Sequence, residues 1–168
     1  QGATHMADGY ARALDKVGVC IATSGPGATN VVTGLATAQI DSSPIVAFTG
    51  QVNRAVIGSD AFQECDITGV SASVTKYNIQ VRKPEEIPYS VKQAFYIANT
   101  GRKGAVLVDI PKDCTTLSGD MDFPEKVDFR GYNPDPIPDE RELDWAASIL
   151  AKSERPIIMA GGGVIGHV

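Results

Sequence analysis

Residues that would staple or anchor a small protein are scarce here. The 168-residue chain has three cysteines, Cys20, Cys65 and Cys114, widely spaced and with no C-x-x-C pair. That argues against a disulfide framework and against a zinc site, and the expectation is free thiols in a reducing cytosol. Lys and Arg number 15 against 20 Asp and Glu, without a basic block, and the formal net charge is -5. No nucleic acid and no anionic membrane is therefore expected as a partner. No apolar run approaches the ~20 residues of a spanning helix. The first residues, Gln1 to Asp8, are not a signal peptide. They also lack an initiator methionine and start almost inside a helical pattern, so the chain is expected to be a piece of something longer.

What is present suits a packed α/β protein. Hydrophobic residues make up 43% of the chain, enough for a core, and 21% charged residues is ordinary for a soluble surface. The organising stretch is Val19 to Asn30. It opens as a short apolar run, breaks at Ser24-Gly25-Pro26-Gly27, and continues as a helix expected over Ala28 to Ile40. Gly25 and Gly27 let a backbone approach a ligand without an intervening Cβ, and Pro26 suits a first helical turn. Strand, tight turn and helix start is where α/β proteins place ligands. A connecting turn whose glycines only satisfy its own geometry is the alternative reading.

Around it, a helix is expected from Thr4 to Leu14, strands at Ile45 to Thr49, Tyr77 to Val81 and Ala105 to Ile110, a short helix near Gln63 to Val70, and a helix from Pro84 to Asn99. Strands joined mostly by helices predict a parallel sheet with helices on both faces. From Thr115 to Pro138, prolines recur among Asp and Gly without a sustained period, the composition of a linker. A helix over Asp139 to Lys152, a strand at Arg155 to Ala160 and a turn at Gly161-Gly162-Gly163 restart the pattern. The expected organisation is thus a first α/β domain over 1–114, a linker over 115–138 and the start of a second α/β domain over 139–168.

Five strings carry a family resemblance: Gln1 to Arg12, Thr23 to Asn30, Thr49-Gly50-Gln51-Val52, Asp60-Ala61-Phe62-Gln63-Glu64 and Val106 to Asp113. In order and spacing the chain resembles the large catalytic subunit of acetolactate synthase (acetohydroxyacid synthase), a thiamine diphosphate enzyme. The first two strings are shared more loosely by other thiamine enzymes; Asp-Ala-Phe-Gln-Glu with Pro-Lys-Asp is the more specific pair. The resemblance implies that 1–114 is the later part of the domain that binds the cofactor's aminopyrimidine, and 139–168 the start of the central domain. It implies a transferase that decarboxylates pyruvate on thiamine diphosphate and joins the two-carbon unit to pyruvate or 2-ketobutyrate, toward valine, leucine and isoleucine. It further implies a cytoplasmic homodimer or homotetramer and admits a small regulatory subunit. The family's activating glutamate would directly precede Gln1 and its Mg2+ and diphosphate ligands would lie beyond Val168, so this piece alone is expected to be inactive.

The same resemblance carries roles for single residues. Gly25, Pro26 and Asn30 would lie against the aminopyrimidine, with helix capping as their alternative role. Gln63 would reach the reacting end of the cofactor, where a neutral amide can stabilise developing oxyanion charge. Phe62 would line that cleft and exclude water, the alternative being ordinary core packing. Lys112 would attract ketoacid carboxylates, the alternative being a solvated loop lysine. Arg102 and Gly161, Gly162 and Gly163 would contact FAD. His5 is a candidate acid or base, with a hydrogen-bonded structural histidine the stronger reading. Asn53, Tyr77 and Lys103 depart from the family's usual residues. Two other readings stay open: a related thiamine enzyme of the pyruvate oxidase, glyoxylate carboligase or sulfoacetaldehyde acetyltransferase type, and a non-catalytic binding module.

Overall fold

The computed structural model describes residues 1–167. Two compact units divide it, Gln1–Tyr132 and Asn133–Val168. The first is built on four strands: β1 (Gly18–Ala22), β2 (Ile45–Gln51), β3 (Tyr77–Gln80) and β4 (Ala105–Pro111). They form one sheet in the order β1-β2-β4-β3, and every neighbouring pair is parallel. The helices are α1 (Gly2–Leu14), α2 (Pro26–Thr29), α3 (Val32–Ile40), α4 (Ile67–Ser71), α5 (Ile87–Asn99) and α6 (Lys112–Thr116). The predicted α/β architecture, a parallel sheet covered by helices on both faces, is what the fold shows.

Alternation along β2 and β4 assigns each residue to a face. Ile45, Ala47, Ala105 and Leu107 form one core with Ala7 and Ala11 of α1, Leu35 and Ala38 of α3, and Ile67 of α4. Val46, Val106 and Val108 form the other with Ala94, Ile97 and Ala98 of α5 and Cys114 of α6. Near-continuous apolar runs in the central strands follow from this double burial. Each fully buried Leu or Ile contributes about 1.5–3 kcal/mol relative to exposure. Small residues set the helix spacing: a Cβ at Gly34 of α3 would lie 2.5 Å from the Thr4 Cβ of α1, so only glycine lets the two helices meet there.

On the α1/α3/α4 face the lining changes toward the carboxyl ends of the strands. Thr49 and Gln51 of β2, Asp109 of β4, and Asn78 and Gln80 of β3 replace the apolar residues. Thr49 and Gln80 are register partners of Asp109 on either side. A polar layer thus underlies the rim from which the α2 turn, the loop after β2 and the start of α6 emerge.

Three expectations differ from what is seen. The single helix over Ala28 to Ile40 is two helices, α2 and α3, separated at Asn30 and Val31. The Asn30 side-chain amide donates to the Pro26 carbonyl (2.7 Å), which its own backbone N–H also reaches (3.1 Å); such local competition disrupts a regular helix. Val31 N–H then donates to Ala28 O, a tightened turn. Second, the Pro-rich segment after α6 is not wholly detached from the sheet domain. Phe129 stacks edge-on against Tyr77 at 5.1 Å, and the Tyr132 hydroxyl accepts from Lys76 Nζ (2.7 Å) and donates to Thr100 O (2.9 Å). The first unit therefore runs through Tyr132. Third, Arg155 to Ala160 forms no strand. Ile157, Ile158 and Met159 are exposed, and among the described residues of that unit no strand is available to pair with this segment.

The second unit holds α7 (Glu140–Lys152). Its N-cap Asp139 accepts from Arg141 N–H (2.9 Å), with Glu140 and Glu142 in the first turn where the helix dipole favours carboxylates. A short 3-10 segment spans Gly162–His167.

Candidate functional site

Two backbone segments meet at the carboxyl rim. Gly25, just after β1, has φ 57° and ψ -119°, a conformation closed to residues with a Cβ. A Cβ there would stand 2.8 Å from the Gln63 carbonyl oxygen and 2.9 Å from the Gln63 Cα. Gly25 is thus the position that lets the α2 turn lie directly on Gln63, although the two are 38 positions apart in the chain. Gln63 itself has φ 61°, and in the same loop Asp60 has φ 57° and Gly58 φ 88°. Left-handed backbone in non-glycine residues persists only when neighbouring contacts hold it.

The holding contacts are explicit. The Glu64 carboxylate accepts from Gly58 N–H and from Ala61 N–H (2.9 Å), closing the turn on itself. These backbone donors, Gly58 foremost, keep the Glu64 carboxyl below its ordinary range. Next along, Asp66 caps α4 by accepting from Gly69 N–H (2.9 Å), which likewise lowers its pKa. Across the rim, Arg54 Nε donates to Asp113 Oδ2 (2.6 Å) and Arg54 N–H to Oδ1 (3.1 Å), so the Asp113 carboxyl is held low. Arg54 also reaches the Arg82 carbonyl, tying the loop after β2 to the one after β3.

Beneath this loop lies a buried carboxyl that sequence reasoning missed. Asp109 is 0% exposed. Its Oδ1 accepts from Thr49 Oγ1 (2.8 Å), and its Oδ2 from Gln80 Nε2 (2.9 Å) and Gln51 Nε2 (3.2 Å). Burial pushes its pKa up, opposed by those three bonds. The available signal was a charged residue, Asp109, inside the apolar run Val106 to Ile110, together with polar Thr49 and Gln51 at the end of another.

Of the residues singled out from sequence, Gly25 and Gln63 are in contact, and Pro26 and Asn30 are joined by the hydrogen bond described above. Pro26, Asn30 and Gln63 are all exposed. Phe62 is 89% exposed, so core packing does not account for it. Lys112 opens α6 at the end of β4 on the same rim, exposed and without an ion pair among the described residues. Arg102 sits at the opposite, amino-end rim, before β4. Its Nε donates to Ser42 Oγ (2.9 Å) and its Nη2 to the Gln39 and Ile40 carbonyls (3.4 and 3.2 Å), the ordinary work of a cation at a helix C-terminus. Gly161, Gly162 and Gly163 belong to the other compact unit and have open space around their Cα atoms. His5 is exposed on α1 with no side-chain hydrogen bond among the described residues, so the structural reading of it is not met.

The rim presents hydrogen-bonding groups of the kind that suit a flat, nitrogen-rich ring. Asn30 uses one N–H on Pro26 and keeps its carbonyl oxygen open; the Gln63 amide is exposed, with both donor and acceptor capacity. Gly25 is buried with Gln63 packed on it, so the groups open to a ligand here are the exposed Pro26, Asn30 and Gln63. These residues fit the aminopyrimidine of thiamine diphosphate.

Comparison with known proteins adds the following likenesses. Residues 1–70 match the family described as "Thiamine pyrophosphate enzyme, N-terminal TPP binding domain". The chain is 53% identical over 165 residues to an acetolactate synthase of Mycobacterium leprae, covering 98% of this chain and 26% of that protein. It is 53% identical over 170 residues to a probable acetolactate synthase large subunit of Methanocaldococcus jannaschii, with 98% and 28% covered. Against the acetolactate synthase large subunit of Corynebacterium glutamicum it is 50% identical over 165 residues, with 98% and 26% covered. The chain thus spans between a quarter and a third of the length of these relatives.

Proposed function

We propose that this chain, a homologue of acetolactate synthase large subunits along 98% of its length with a thiamine pyrophosphate-binding family match over residues 1–70, works as the pyrimidine-binding part of such an enzyme. The parent reaction is decarboxylation of pyruvate and transfer of the two-carbon unit to pyruvate or 2-ketobutyrate. The observation that carries the reading is the contact of Gly25 with Gln63, which joins two of the five family-like strings, Thr23 to Asn30 and Asp60 to Glu64, into one rim.

When bound, thiamine diphosphate supplies the nucleophilic carbon and the electron sink that this chemistry needs. The chain's own residues do the rest. Asn30 and the backbone at Gly25 and Pro26 orient the pyrimidine. Gln63 donates a hydrogen bond to the oxygen on which charge develops, with no proton of its own to lose. Phe62 covers the reacting centre, and its ring keeps out the water that would otherwise protonate it. Lys112, exposed at the rim and without an ion pair among the described residues, draws in the carboxylate of each ketoacid. Diphosphate and Mg2+ would be held by residues outside this chain. Subunits would pair so that the rim around Asn30 and Gln63, where Val56, Ile57 and Phe62 are exposed, faces a partner subunit, in the cytoplasm.

The test is a Corynebacterium glutamicum large subunit in which the aligned stretch is replaced by this chain. It should form acetolactate from pyruvate. Lys112→Gln should raise KM for pyruvate on the order of tenfold with kcat little changed, and Gln63→Ala should lower kcat on the order of 100-fold. A chimera that folds, binds thiamine diphosphate and yields a different product from pyruvate sinks the assignment. Silent Gln63 and Lys112 variants sink the site.

A further inference from the structure

The Asp109 carboxyl touches none of the groups assigned to chemistry, yet three side chains from two neighbouring strands and its own sheet layer are spent on it. Thr49 and Gln80 stand beside it in register, so the sheet itself fixes two of the donors. The third donor, Gln51, has a second engagement. Its Nε2 also donates to the Cys65 carbonyl (2.6 Å), and its Oε1 accepts from Val52 N–H (2.9 Å). Every polar atom of the Gln51 amide is thereby used, and its NH2 end faces inward because an acceptor, Asp109 Oδ2, lies there. Cys65 is two residues beyond Gln63 and adjoins Glu64, whose carboxylate closes the loop on Gly58 and Ala61.

We propose that Asp109 is a positioning residue: through the Gln51 amide it holds the Cys65 carbonyl, and so fixes the Phe62-Gln63-Glu64 turn against Gly25. That Gln63 is the group so presented rests on the function proposed above; the mechanical coupling of sheet to loop does not. The loop needs such a tether because its left-handed residues Asp60 and Gln63 are not self-sustaining. The tether needs an acceptor oxygen at the Oδ2 position, where the Gln51 and Gln80 donors converge, but not a full charge. In Asp109→Asn the amide oxygen takes the place of Oδ2 toward Gln51 and Gln80, and the NH2 faces Thr49, whose hydroxyl rotates to accept. Asp109→Ala removes the acceptor, and Gln51→Met keeps the bulk and removes the relay.

Hydrogen exchange in the full-length subunit carrying this chain separates these cases. Amides of residues 58–65 should exchange about tenfold faster in Gln51→Met and Asp109→Ala, with Val106 to Val108 of β4 unchanged. Asp109→Asn should stay within about twofold of the parent. An unchanged loop in Gln51→Met overturns the proposal, and that variant decides the matter if Asp109→Ala does not fold. Asp109→Asn as disruptive as Asp109→Ala also overturns it, because convergent acceptance would then not be what counts. Kinetics on the same variants keep the two readings apart. A loosened loop with kcat lowered and KM for pyruvate held supports both. A loosened loop with kcat unaffected supports the tether and removes Gln63 from the chemistry.

Discussion

Replacing Gly25 by alanine puts a methyl group where the geometry leaves none. The φ of 57° with ψ of -119° costs a residue with a Cβ about 1–3 kcal/mol in backbone strain. The new Cβ would also sit 2.8 Å from the Gln63 carbonyl oxygen, which is backbone and cannot swing aside as a side-chain tip could. Either the α2 turn or the Gln63 loop has to move, and a total near 3 kcal/mol is expected, in the upper range for single substitutions. Unfolding entropy of about 2.1 cal/mol/K per residue over Gln1–Tyr132 makes that a fall of roughly 10 °C in Tm. Gly9→Ala is the matched control. Gly9 is exposed in mid-α1 with nothing within 4 Å of its added Cβ, and alanine there should gain about 0.5–1 kcal/mol. Differential scanning calorimetry on both variants gives the answer. A Gly25→Ala protein melting within about 2 °C of the parent would mean that the two loops do not press on each other as described.

Acid sensitivity should track the Arg54–Asp113 pair. The Asp113 pKa is lowered, first by the Arg54 side-chain hydrogen bond. Its contribution is therefore present above the ordinary carboxylate range and is lost as pH falls through the lowered value. Urea titrations of Arg54→Gln should show a deficit against the parent near about pH 7 that narrows toward about pH 3; a deficit constant across that range would exclude the pair as its source. Lys76 anchors the Phe129–Tyr132 strap, donating to Ile97 O (2.5 Å), Thr100 O (2.6 Å) and the Tyr132 hydroxyl (2.7 Å). Lys76→Met should cost about 2 kcal/mol and speed proteolytic nicking within residues 115–132, whereas an unaltered digest would mean that the aromatic contacts and the hydrogen bonds from Tyr89 and Lys92 hold the strap without it.

Local chemistry made much of the fold legible. Apolar runs at Ile45 and Ala105 read as buried strands because they are covered on both faces, whereas the run at Val19, an edge strand, is covered on one face only and leaves Val19 and Ile21 exposed; Gly25-Pro26 read as a turn into a helix because few other residues tolerate that geometry. What stayed hidden depends on partners far along the chain. Asp109 reads as the end of a strand until Thr49, 60 residues away, is seen donating to it. The strap could not be separated from a linker, since its composition is Pro, Asp and Gly and the partners of Phe129 and Tyr132, among them Tyr77, Lys76, Tyr96 and Thr100, lie far back in the chain. Arg155 to Ala160 has the right residues for a strand, but a strand exists only with a neighbour. Arg102 illustrates a motif position whose visible partners are the end of α3 and Ser42.

Because all four strands point the same way, the chain keeps its scaffold and its working parts in separate stretches of code. Residues such as Val46, Leu107 and Ile97 answer only to packing, while those just past each strand end answer to whatever sits on the rim. Selection, or an engineer, can therefore vary the tips of the loops and sample new specificities on an unaltered frame. The exceptions are the few polar residues, Thr49, Gln51, Gln80 and Asp109, that are answerable to both.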